Sequence, residues 1–319
     1  MASATTRFVC ISDTHNCAAS IKLPRGDVLI HAGDLTNQGS HSELSRAVSW
    51  LEAADFEVKI VVAGNHDITL DSRFYEDHGR FLHNQKLESP VDCRALLASS
   101  PSITYLDHES TTIRLTSPNG PHTEFSVFGS PFSPRRGLWA FGYDAPDHDV
   151  DSQSLPSLWD AIPSGTDIVV THTPPRTHCD VKDGGRVAGC EALRRALWRV
   201  RPRLAVCGHV HDGRGAEHVA WNLDSVAFAE KLTRAWNDPG EGGNKLSLVD
   251  LTGRRRPPES CHPASSAAQA MDLKGFLSAE SETCIVNAAV MKSRHPHVGG
   301  KQFHKPIVVD VDLPVWAED

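Results

Sequence analysis

The sequence predicts an α/β fold: a largely parallel sheet built from strand–helix–strand units, joined by a second, antiparallel portion. Three observations predict it. Five short apolar, β-branched runs, at 7–12, 27–33, 58–62, 166–172 and 203–208, each end against Asp, Asn or His. Helical spacing of apolar residues returns between several of them. From 103 to 128 the period shortens to that of strands, split by the turn Ser117-Pro-Asn-Gly120.

Arg7 to Ser12 reads as a buried strand followed directly by Asp13-Thr-His15, and Asp27 to Gly33 as a second followed by Asp34. Ser40 to Ala54 then carries Leu44, Ala47, Val48 and Leu51 on one helical stripe, with Ser40 or Ser42 as cap. The third strand, Val58 to Val62, ends in Gly64-Asn-His-Asp67. Residues 70–88 read as short helix and loop, and 90–99 as a helix. Ile103–Leu106, Thr111–Leu115 and Glu124–Phe128 form the antiparallel portion. A long loop follows at 129–150, rich in aromatic residues and arginine. Thr166 to His172, a helix over 189–200 and Arg203 to Gly208 restore the alternation, and 244–252, 283–289 and 306–311 continue the sheets. Arg254 to Ser266 reads as an exposed or partly disordered loop. No repeat and no linker divides the chain, so 1–319 is expected to be a single domain, with an insertion at about 216–282.

A chain of 319 residues with a formal charge of −8 has ample core and no electrostatic footprint for nucleic acid. The basic clusters Arg194-Arg195 and Arg254-Arg255-Arg256 are short enough to be solvated. The first residues enter a strand without the basic start and apolar centre of a signal peptide, and no run approaches a membrane span. The expectation is a cytoplasmic protein that meets neither membrane nor nucleic acid. The sequence leaves the oligomeric state open. Eight cysteines are scattered without a Cys-x-x-Cys pair, and Cys10 and Cys207 sit inside apolar strands, so reduced core thiols are expected.

The strand ends collect Asp13, His15, Asp34, Asn65, His66, His172, His209 and His211. Oxygen and imidazole donors without thiolate suit Mn, Fe or Zn better than a structural cysteine site. In Asp13-x-His15 and His209-x-His211 the spacing matters, because alternate residues of extended chain point the same way and can embrace one ion.

Asp13-Thr-His15, Gly33-Asp34, Gly64-Asn-His-Asp67, Thr171-His172 and Gly208-His-Val-His211 together resemble the calcineurin-like metallophosphoesterase signature, in that family's order. Val9-Cys-Ile-Ser-Asp-Thr-His15, Gly33-Asp-Leu-Thr36, Gly129-Ser-Pro131 and Ile285-Val-Asn-Ala288 before Pro306-Ile-Val-Val-Asp310 are similar to the metallophosphoesterase-domain-containing branch, which is associated with class III cyclic nucleotide phosphodiesterase activity. The resemblance implies a four-layer αββα sandwich of two mixed β-sheets flanked by helices, with two divalent metals at the strand ends. It implies that Asp13, His15 and His211 hold one ion, that Asn65, His172 and His209 hold the other, and that Asp34 bridges them. A shared hydroxide would attack phosphorus, and His66 would stabilise the transition state or protonate the leaving alkoxide.

Two positions depart from the phosphoprotein phosphatases of that superfamily, whose pattern is Gly-Asp-x-x-Asp-Arg-Gly. Gly33-Asp-Leu-Thr-Asn-Gln-Gly39 puts Asn37 where a second carboxylate would orient the catalytic histidine, and Gln38 where an arginine would bind phosphate. The implied substrate is therefore a small-molecule phosphodiester or phosphomonoester rather than a phosphoprotein. Asp67 either orients His66 or caps the next turn. Arg135 and Arg136 are candidates for anion binding, Trp139 and Phe141 for a pocket wall, and Asn287 reads as a buried strand residue. Two rivals are carried: a binuclear metalloenzyme acting on C–N or C–O bonds of a metabolite, and a non-catalytic binding scaffold.

Overall fold

A computed structural model describes residues 2–84, 86–144, 157–182, 184–254, 281–293, 297 and 299–317. Strand β1 (Ser3–Ile11) is followed by β2 (Val28–Ala32), helix α1 (His41–Ala53) and β3 (Val58–Val62). Ser40 caps α1 in a capping box with Glu43, and the buried stripe is the predicted Leu44, Ala47, Val48 and Leu51. After α2 (Ser72–Leu82) and α3 (Pro90–Ala98) come β4 (Ile103–Tyr105), β5 (Glu109–Arg114) and β6 (Glu124–Ser130).

The loop predicted over 129–150 contains a small parallel pair, β7 (Ser133–Pro134) with β8 (Gly142–Tyr143), and its part from 145 onward lies outside the described residues. The chain continues through β9 (Ile168–Thr171), the hairpin β10 (Val181–Lys182) and β11 (Arg186–Val187), α4 (Glu191–Val200) and β12 (Leu204–Cys207). It ends with β13 (Gly215–Trp221), β14 (Glu230–Ala235), β15 (Ser247–Asp250), β16 (Glu282–Asn287) and β17 (Ile307–Pro314).

Two large mixed sheets result, ordered β15-β17-β1-β2-β3-β4 and β14-β13-β16-β12-β9-β6-β5. Strand period 2 sorts their side chains into layers. Phe8 and Cys10 of β1 pack with Ile168, Val170, Leu204 and Val206 in a core between the sheets. Val9 and Ile11 point the other way, onto Leu44, Leu51, Phe74 and Leu97 of α1–α3. On the outer face of the second sheet, Val169, Ala205 and Ile285 meet Leu193 and Leu197 of α4 and the fully buried Trp159. The architecture is the expected αββα sandwich.

One strand lies elsewhere than the sequence suggested. Ile103–Tyr105 was expected in the antiparallel portion, yet β4 pairs parallel with β3 and closes the first sheet. The α2–α3 crossover returns the chain in the direction it left, which a parallel neighbour requires. Within the stretch read as an insertion at about 216–282, β13 and β14 extend one sheet and β15 joins the other. The loop predicted at 254–266 lies, beyond Arg254, outside the described residues, as does Cys261. The seven described cysteines are unpaired, and Cys10, Cys93, Cys190, Cys207 and Cys284 are buried. Among the described residues no helix is long and apolar enough to cross a membrane.

Candidate metal centre

The parallel strands β1, β2 and β3 of one sheet and β9 and β12 of the other end at one edge of the sandwich. Their connecting turns carry every predicted site residue. To bring side chains inward so soon after a strand, the backbone bends sharply. Asp13, His15, Asp34 and His209 sit at φ of 57°, 41°, 55° and 64°, in the left-handed region that L-residues avoid. A Cβ on Gly64 would overlap the Asp34 carboxylate, and one on Gly208 would overlap Ser12 and Asp13. These two glycines let backbone from neighbouring strands close over the ligands.

The donor atoms converge. Asp13 accepts from the His209 backbone N–H at 3.0 and 3.1 Å and faces His211 Nε2 at 3.2 Å. Asp34 accepts from the His66 backbone N–H at 2.9 Å and faces His172 Nε2 at 3.5 Å and His15 Nε2 at 3.7 Å. His172 Nε2 also lies 3.1 Å from Asn65 Oδ1 and 3.2 Å from His209 Nδ1. Within the sets Asp13/His15/His211, His15/Asp34/His66 and Asp13/Asp34/His172, one ligand atom per residue lies within 4.8 Å of the others.

Backbone carbonyls fix which ring nitrogens face inward. His172 Nδ1 is 2.9 Å from the Ala32 carbonyl, and His15 Nδ1 is 3.2 Å from that of Thr36. A carbonyl only accepts, so both Nδ1 atoms carry hydrogen and both Nε2 atoms present lone pairs in the neutral ring. Around His172 Nε2 this leaves acceptors facing acceptors, an arrangement a cation satisfies.

The electrostatics of the metal-free chain carry the same signature. Burial opposes charge on His172, but the Asp34 and Asp13 carboxylates overcome it and push the ring up to about 9, so a proton stands in for a cation. Burial and the His172 charge push His209 down to about 3, which keeps it neutral. Asp34 is buried, which would raise it, yet His172, His66 and His15 hold it well below the usual carboxylate range. The residues present therefore fit divalent metal ions.

A model of the calcineurin-like phosphoesterase family matches residues 6–213, well over half the chain and inclusive of all eight converging residues. The chain belongs to that family. It is 39% identical over 236 residues to a probable rhamnogalacturonate lyase C of Emericella nidulans, covering 72% of this chain and 20% of that protein. It is 38% identical over 217 residues to the Homo sapiens metallophosphoesterase domain-containing protein 1, covering 66% of this chain and 62% of the relative. The chain thus spans about a fifth and about three fifths of these two relatives. Against the solved purple acid phosphatase PPD1 from yellow lupin seeds, the TM-score is 0.39 at 15% identity, covering 69% of this chain and 40% of that one.

Around the converging residues, other predicted residues take particular places. His66 Nδ1 donates to the backbone carbonyl of Asn37 at 2.8 Å. Asp67 neither orients His66 nor caps the next turn through its side chain. It accepts from the backbone N–H groups of Gly64, Leu35 and Thr36 at 2.9, 3.2 and 2.9 Å and from Thr36 Oγ1 at 2.7 Å, tying the Asp34 turn to the His66 turn. Burial and the nearby Asp34 charge push it up to about 6. Arg135 and Arg136 line a small cavity with Asn65, Trp139 and His209. Both are exposed; Arg135 is held by Asp144 and the Gly142 carbonyl, while Arg136 reaches the Ala188 carbonyl at 3.3 Å. Phe141 packs into the core at 4% exposure and is no pocket wall. Asn287 is the buried strand residue expected, donating to the carbonyls of Cys179 and Val210. The orienting carbonyls of Ala32, Thr36 and Asn37 carry no signal in residue identity. His31, interrupting the apolar run of β2 and reaching Thr14 Oγ1 at 3.0 Å, was visible but unweighed.

Proposed function

We propose that the chain is a binuclear-metal-dependent phosphoesterase that hydrolyses a small-molecule phosphodiester or phosphomonoester. The convergence of ligand-bearing turns from both sheets on one buried point carries this reading. Asp13, His15 and His211 would hold one ion, Asn65, His172 and His209 the other, and Asp34 both. When bound, the ions supply Lewis acidity toward phosphoryl oxygens and lower the pKa of water at the site. The carbonyls of Ala32 and Thr36 keep His172 and His15 in the tautomer that ligation needs. With Nδ1 committed to the Asn37 carbonyl, His66 has Nε2 free to pass a proton to the leaving oxygen. Gln38, in place of an arginine, disfavours phosphoproteins, and the branch resemblance favours diesters.

The test is turnover of bis-p-nitrophenyl phosphate, p-nitrophenyl phosphate and 2′,3′- and 3′,5′-cyclic nucleotides by metal-stripped protein reloaded with Mn²⁺. Asp34→Asn serves as the control. Metal-dependent cleavage that falls at least about 100-fold in Asp34→Asn is expected. Two ions bound per chain without cleavage of any ester would overturn the proposal and favour C–N or C–O chemistry. Failure to bind metal would favour a scaffold.

A further inference from the structure

His66 lacks the carboxylate partner that Asn37 replaces, and one hydrogen bond to a carbonyl leaves an imidazole free to tip about that bond. The structure holds the ring by a second contact. The Trp139 indole lies against His66 with ring centroids 4.0 Å apart and planes 34° from parallel, while His15 meets the same ring edge-on at 4.8 Å. Trp139 is itself fastened to the turn that carries His66. The Ala140 N–H donates to the Asn65 carbonyl at 3.3 Å, and the Phe141 N–H to Asp71 Oδ2 at 2.8 Å. Buried Phe141 anchors the segment against Phe132, with ring centroids 6.0 Å apart. The β7–β8 pairing closes it from the other side, through Ser133 N–H to the Phe141 carbonyl at 3.0 Å and Arg135 N–H to the Tyr143 carbonyl at 2.8 Å.

We propose that Trp139 is a positioning residue: its indole face and the Asn37 carbonyl together hold the His66 imidazole with Nε2 toward the metal-ligand cluster, the work a second carboxylate would otherwise do. This rests on the reading of His66 as the group that protonates the leaving oxygen. The step is a P–O cleavage in which water forms the new P–O bond and the ring, carrying hydrogen on both nitrogens at that moment, gives its Nε2 proton to the departing alkoxide; it is left as the neutral Nδ1–H form, and the proton lost by the attacking water replaces the one given up. Such a proton matters for alkoxide leaving groups and little for p-nitrophenolate, which departs as a stable anion. Trp139 should therefore act selectively on poor leaving groups, a selectivity that mere support of the fold would not produce.

The experiment compares Trp139→Ala, Trp139→Phe, His66→Ala and the double variant Trp139→Ala/His66→Ala in Mn²⁺-loaded protein. Metal content and melting midpoint are recorded alongside kcat and KM. Trp139→Ala should lower kcat on cyclic nucleotides about 10- to 100-fold, with a several-fold smaller loss on bis-p-nitrophenyl phosphate and little change in KM. Trp139→Phe should recover most of that loss, and the double variant should be no slower than His66→Ala. Equal losses on both leaving-group classes, or losses that multiply in the double variant, would overturn the proposal.

A second readout is independent of turnover: the tautomer of His66 in metal-free protein, from its imidazole ¹⁵N shifts. The native ring should be the Nδ1–H form, with Nε2–H appearing in Trp139→Ala and receding in Trp139→Phe. Should the native protein cleave no ester, the proposed function fails, and this tautomer ratio alone decides the positioning claim. An unchanged ratio in Trp139→Ala sinks it.

Discussion

Asp34 is crowded on purpose: the backbone at Gly64 leaves no room for a methyl group beside its carboxylate. Gly64→Ala should displace Asp34 and weaken Mn²⁺ binding about 10- to 100-fold by titration calorimetry, while Gly243→Ala, where an added Cβ meets nothing closer than 3.9 Å, leaves binding unchanged. A second residue-scale prediction concerns His31, which is 1% exposed and has no partner for Nδ1. Burial pushes this ring down to about 4 against the opposing pull of Asp13 and Asp34. Because the folded value lies below the unfolded one, the unfolded chain takes up a proton first as pH falls through about 6.5, and stability drains away toward pH 4. Between pH 7.5 and 5, metal-free native protein should lose about 2 kcal/mol more than His31→Gln in urea denaturation. At this scale the residues that converge were legible, because a site built for metal would select Asp, Asn and His. Their orienting carbonyls were not, because every residue has one.

The element scale separates local from non-local information. The buried stripe of α1 was legible residue by residue, since a helix's period is written within its own segment. The placement of β4 was not, since its partner depends on a crossover of two helices. β14 left no signal either, being a largely exposed edge strand, Glu230–Ala235. A polar knot holds it in place. His178, 2% exposed, lies with Nδ1 2.8 Å from Glu217 of β13 and Nε2 3.2 Å from Glu230 of β14, and Arg194 of α4 pairs with Glu230 at 2.8 Å. His178→Ala should lower unfolding free energy by about 2 kcal/mol, read in urea, without altering Mn²⁺ affinity, because the lost contacts run to Glu217 and Glu230 and to none of the converging donor residues. A loss of metal binding would show that this knot and the centre are coupled.

Across the whole molecule, ligands reach the centre from both sheets, so bound ions would clamp one half of the sandwich to the other. At a free Mn²⁺ concentration 100 times its Kd, the melting midpoint should rise by roughly 5 °C, a gain that Asp34→Asn should forfeit. That the site lay at one edge was legible in advance, because parallel strands deliver their carboxyl ends together. One consequence reaches beyond this protein's chemistry. Asp13, His15, Asp34 and His209 each occupy a backbone region in which glycine would be more comfortable by about 1 kcal/mol. A laboratory selection for heat resistance alone, run without a screen for metal, would therefore drift toward glycine at His15 and His209, while Asp13 and Asp34 would hold, because the backbone N–H groups of His209 and His66 depend on their carboxylates. It would deliver a hardier chain with an empty mouth.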